Sequence, residues 1–143
     1  MNARLGGTRR RGADLVLIVE AAILLPIIWG VIRVLRLPTL CHLLGFAPPS
    51  RRGPSRAPAD LVGAAVIAVA ERLPFVTCLI AALAADTMLR RRGYPVTFHI
   101  GVRRGVRPWA ALEAHAWVEC HGAVIVGQLD DLDDYVVLAA NNS

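Results

Sequence analysis

Between Pro95 and Val126 the chain alternates apolar and polar residues. In VTFHIGVR, Val96, Phe98, Ile100 and Val102 fall on one side, and Thr97, His99, Gly101 and Arg103 on the other. That period of two predicts a strand with one buried face. AHAWVEC, residues 114–120, alternates as well: His115, Trp117 and Glu119 share a face, opposite Ala114, Ala116, Val118 and Cys120. His121-Gly122 then predicts a tight turn into a third strand from Ala123, which makes a hairpin. Upstream the pattern changes. ADLVGAAVIAVAERLP predicts a helix with Asp60 as its N-cap and Pro74 as its stop. PFVTCLIAALAADTMLRRRGYP predicts a second, capped at Thr77, with arginines in its last turn and Gly93 and Pro95 ending it. The order helix, helix, strand, strand, strand predicts an α+β domain with an antiparallel sheet.

Residues 47–58, APPSRRGPSRAP, hold four prolines and little apolar content, which predicts an exposed loop or linker. It divides the chain into an apolar helical segment with its Pro/Arg-rich loop, 1–58, and a second unit, 59–143. The first segment resembles a membrane span at first sight. However, Glu20 interrupts residues 15–32, the uncharged run 21–32 is 12 residues long, and Pro26 should kink a helix. A spanning helix takes roughly 20 apolar residues. Arginines flank both ends, and Leu40 stands where a lipoprotein box before Cys41 needs a small residue. The expectation is a helix or helical pair packed on the domain or on a partner, in a cytoplasmic protein, with membrane association not favoured.

Composition narrows the classes. The 143 residues suffice for one domain with a core. The net charge is +5 and every basic residue is arginine, which suits carboxylate or phosphate partners. Arginines 90–92 and Arg103, Arg104 and Arg107 flank the first strand, as a solvated helix end or as a dock for an acidic peptide. Nucleic-acid binding would need interleaved aromatics or a known module, and neither is present. Three widely spaced cysteines, Cys41, Cys78 and Cys120, do not form a disulfide framework and point to a reducing compartment. Two Cys-His pairs, 41–42 and 120–121, lack the spacing of a structural zinc site, so no metal and no cofactor is expected.

Cys78 falls in the first turn of the second helix. Unsatisfied N–H groups there favour a thiolate and can also donate to an oxyanion. His115 follows 37 residues later on a strand, and a helix-borne Cys with a strand-borne His makes a nucleophile–base pair if the sheet packs on the helix. A third residue should orient the imidazole. Asp130, Asp131, Asp133 and Asp134 of GQLDDLDDY are the candidates, with Asp130 lying 15 positions beyond His115. Taken singly, each of these residues also fits ordinary packing or a solvated loop.

TCLIAALAADTMLRRRGYPVTFHIGVRR followed by AHAWVECHG resembles the transglutaminase-like protease domain of lasso-peptide maturation proteins of the B type, over about residues 60–140. The resemblance implies a papain/transglutaminase-like core. It also implies a cysteine protease that removes the leader from a ribosomally made precursor, with the freed core passing to an ATP-dependent cyclase. A separate leader-recognition protein is expected, because the chain leaves no room for that module and so resembles the stand-alone protease half of a split pair. The resemblance makes Cys78 the nucleophile and His115 the base, with Trp117 lining the substrate cleft. Relatives carry an Asp about a dozen residues after the His. Here Gly127 stands near that place, Asp130 is the nearest carboxylate, and Gln128 is an alternative. Two other readings are an acyltransferase of the same fold and a non-catalytic scaffold that presents the peptide to the cyclase.

Overall fold

The computed structural model describes residues 5–35, 59–105 and 111–142. The Pro/Arg-rich loop, Cys41 and Arg107 lie outside the described residues. Among the described residues three helices, α1 (Leu5–Val34), α2 (Ala59–Ala70) and α3 (Cys78–Arg91), precede the strands β1 (Val96–Arg104), β2 (Leu112–Cys120), β3 (Ala123–Val126) and β4 (Val136–Asn142). A single 3-10 turn, Leu132–Asp134, lies before β4. The four strands form one antiparallel sheet in the order β3-β2-β1-β4. This is the expected α+β architecture, with one strand more than the hydrophobic pattern predicted.

The helix α1 is continuous through Glu20 and Pro26, where the sequence predicted an interruption. Leu17, Ala21, Leu25 and Ile28 recur at helical spacing and are buried with α2 and α3 in one core. Burying each of the large ones contributes about 1.5–3 kcal/mol. Glu20 is neutralised from α3, by Arg92 and, at 3.5 Å, by Arg91. Pro26 is exposed, away from that core. The stretch Asp14–Val34 is also long and apolar enough to cross a membrane. Its outward face exposes Leu15, Val16, Val19, Ile23 and Ile27.

Every residue from Ile80 to Arg90 is buried, so α3 is covered on all sides. The helix accommodates a charge pair within that burial. Arg90 Nε donates to both Asp86 oxygens at 2.9 Å, one turn away. Burial pushes the Asp86 carboxyl up, and Arg90 pulls against that shift. On the sheet, Val96, Phe98, Ala116, Val118, Cys120 and Val126 join the core of the helices. The alternation predicted for β1 and β2 is observed where Phe98 lies opposite Val118 and Val96 opposite Cys120, whereas Val102 and Ala114 stay outside that core. The helix α2 meets β3 through Gly63, where an added Cβ would lie 2.6 Å from the Ile125 carbonyl oxygen.

His121 and Gly122 both adopt positive φ, 52° and 78°, the geometry of a two-residue hairpin turn. After β3 the chain leaves one edge of the sheet and returns at the other as β4. Residues 127–135 cross the face turned away from the helices, since Gly127, Asp131 and Tyr135 all touch residues of that face.

Candidate active site

Cys78 is the first residue of α3 and is exposed. Its approach is fixed by the turn before it: Val76 N–H donates to the Leu73 carbonyl, and Phe75 packs on Trp29 of α1 with ring centroids 5.1 Å apart. Thr77 is the N-cap, in extended conformation, as the sequence predicted. Its side chain makes no capping hydrogen bond, and its carbonyl accepts from Ala81 N–H at 3.0 Å. The first-turn N–H groups beside Cys78 are thus not taken by the cap, and they concentrate positive potential at the thiol. Such groups can hold an oxyanion formed when a thiolate attacks a carbonyl.

His115, Trp117 and Glu119 share the other face of the sheet. Trp117 is 4% exposed yet lies outside the helix-facing core. Its ring stacks on His99 at 5.0 Å and on His115 at 6.2 Å, and its N–H donates to Glu119 at 3.1 Å. Gly101 of β1, opposite His115, makes room for this ring, since an added Cβ would lie 2.9 Å from it. His115 also meets Tyr135 at 5.7 Å, tilted by 50°. The imidazole therefore has both an indole and a phenol ring as neighbours. Its Nε2 lies 2.7 Å from the Gly127 carbonyl oxygen.

Arg103 ties the crossing segment down. It bonds Glu113 of β2 at 2.8–2.9 Å, bonds Asp131 of the crossing, and lies 4.8 Å above the Tyr135 ring. The Arg103 guanidinium holds the Asp131 carboxyl below its usual range. The arginine groups read from sequence as a solvated end or a peptide dock are in large part internal: Arg90 pairs with Asp86, Arg92 with Glu20, and Arg103 with Glu113 and Asp131.

A family model described as the transglutaminase-like superfamily matches residues 21–140. The chain belongs to the transglutaminase-like superfamily. That match begins inside α1, at residue 21. No curated protein and no solved structure gives a match. The mixed helices and small antiparallel sheet are those of a transglutaminase-like core, and the superfamily comprises cysteine proteases and acyltransferases.

Within this superfamily frame the predicted site residues separate. Gly93, with φ 80°, turns the chain from α3 into β1. Cys78 stands at the start of α3, on the helix side of the sheet, whereas His115 lies on the face turned away from the helices. No hydrogen bond joins Cys78 to His115 among the described residues; such bonds often tighten only with substrate bound. Asp130 is exposed and does not bond His115, while Asp131 is held by Arg103. Gln128 is exposed too, and its amide donates to the Leu129 carbonyl. Trp117, expected to line the cleft, is buried and stacks on His99 and His115. Sequence reasoning missed Tyr135 and the clamping role of Arg103; the run YVVLAA after an acidic turn was the available sign of a further strand that would return Tyr135 to the sheet.

Proposed function

We propose that the chain is a cysteine peptidase that removes the leader from a ribosomally made, lasso-type precursor peptide. One observation carries the reading: an exposed cysteine at the uncapped start of an otherwise buried helix, in a chain of the transglutaminase-like superfamily. The Cys78 thiolate attacks the scissile carbonyl, and first-turn N–H groups of α3 hold the oxyanion. His115, as imidazolium, gives its proton to the leaving amine and then activates water to release the acyl-enzyme. The chemistry needs no metal or cofactor. The enzyme works in the cytoplasm, with a separate leader-recognition protein and an ATP-dependent cyclase.

The test is product analysis. The purified chain, the precursor and the recognition protein are incubated together and resolved by mass spectrometry. Free leader and core, with one water added across the junction, support the peptidase. A product joined to an added amine identifies an acyltransferase. An unchanged precursor that nevertheless binds the chain identifies a scaffold.

A further inference from the structure

We infer that the backbone carbonyl of Gly127, rather than a carboxylate, orients the His115 imidazole. The inference rests on the reading of His115 as the base, but its decisive readout does not require activity. The contact between His115 Nε2 and the Gly127 oxygen is 2.7 Å. A carbonyl oxygen only accepts, so Nε2 carries the proton and, in the neutral ring, Nδ1 is left with its lone pair. Nδ1 is then the nitrogen that faces the task of base. This is the division of labour that an orienting carboxylate normally imposes on a histidine. Here a neutral dipole imposes it, 12 residues beyond His115.

The geometry is built for this contact. Gly127 has φ +90°, in the region that favours glycine. A Cβ there would lie 2.6 Å from the Ala116 carbonyl oxygen and 2.7 Å from Trp117 Cβ. Only a glycine lets the chain pass this close to β2, and that approach delivers its carbonyl to the ring. Trp117 and Tyr135 both pack beside the imidazole. Among the described residues no carboxylate hydrogen-bonds the ring. Asp131 is bonded by Arg103 and feels His115 only as a through-space charge, whereas Asp130, Asp133 and Asp134 are exposed.

The test is the 15N–1H correlation spectrum of the neutral histidine rings in the full chain, with His115 assigned by its loss in His115→Gln. The expected pattern is a single tautomer, protonated at Nε2 and bare at Nδ1. Asp130→Asn, Asp133→Asn and Asp134→Asn should each keep that pattern and hold kcat for leader cleavage within about threefold. Gly127→Ala should lose the single-tautomer pattern in a chain that still folds by circular dichroism; if it does not fold, the wild-type spectrum decides. A ring protonated at Nδ1, or a tautomer mixture in the wild type, overturns the inference. So does a hundredfold fall in kcat, at unchanged KM, in any of the three Asp→Asn variants. Should Cys78 prove dispensable for cleavage, the peptidase reading fails while the tautomer result stands.

Discussion

Replacing Arg90 by Met should destabilise the protein by about 3–5 kcal/mol at neutral pH, because it strands a buried carboxylate in the helix that carries Cys78. Both side chains of the pair are 5% exposed, and the guanidinium Nε reaches both oxygens at 2.9 Å. Charges about 4 Å apart attract by about 4 kcal/mol at an effective dielectric near 20, which offsets much of the desolvation of the pair. Removing Arg90 removes the attraction and leaves the desolvation. Burial already pushes the Asp86 carboxyl up, and without Arg90 nothing in this pair pulls it back. A carboxyl with a raised folded pKa favours folding while it is protonated. That contribution is fully present below its unfolded pKa of roughly 4 and is lost as pH rises through the folded value. The deficit of Arg90→Met should therefore be smallest near pH 4 and should grow toward pH 7. Urea unfolding followed by circular dichroism from pH 4 to 8 measures this directly. The double variant Asp86→Leu/Arg90→Met should recover to within about 2 kcal/mol of wild type, since both charges are gone. A loss under about 1 kcal/mol at pH 7, or one independent of pH, would refute the reasoning.

Three further outcomes are expected. Gly63→Ala should cost about 1–3 kcal/mol in urea unfolding, because its Cβ would meet both the Ile125 carbonyl and its Cγ2 at 2.6 Å. In a Cys41→Ser background, iodoacetamide at neutral pH should label Cys78 well before Cys120 by mass spectrometry, since Cys78 is exposed while burial pushes the Cys120 thiol up. Equal labelling of the two would contradict the exposed helix-start position. The Asp131 carboxyl, followed by NMR, should titrate at higher pH in Arg103→Gln than in wild type. Its folded pKa is depressed, so the clamp holds above the ordinary carboxylate pKa and is lost as pH falls through the lowered value.

The parts of the fold legible in the sequence are those whose signals are local. The start of α3 at Thr77, its end at Gly93 and the β2–β3 hairpin at His121-Gly122 each rest on residues adjacent to the feature they set. The alternation in β1 and β2 also sorted Val96, Phe98, Ala116, Val118 and Cys120 to the helix side. Distant partners were not legible. Glu20 and Pro26 predict a broken apolar run, yet Glu20 is neutralised by Arg92, 72 residues away, so the helix continues. The strand β4 was missed because VVLAA does not alternate. It is an edge strand, and Val136, Val137 and Leu138 are all exposed. The least legible feature is the partner of His115. A search for an orienting side chain looks for Asp or Gln, whereas a backbone carbonyl has no residue signature. The available sign was the glycine itself, near the place where a carboxylate was expected.

Leader cleavage by Cys78→Ala tests the central claim most directly. The substitution removes only an exposed sulfur at a helix start, so the circular dichroism spectrum and urea midpoint should stay close to those of the wild type. With precursor and recognition protein present, the account predicts no release of leader above the uncatalysed background. Release by Cys78→Ala at the wild-type rate would contradict it.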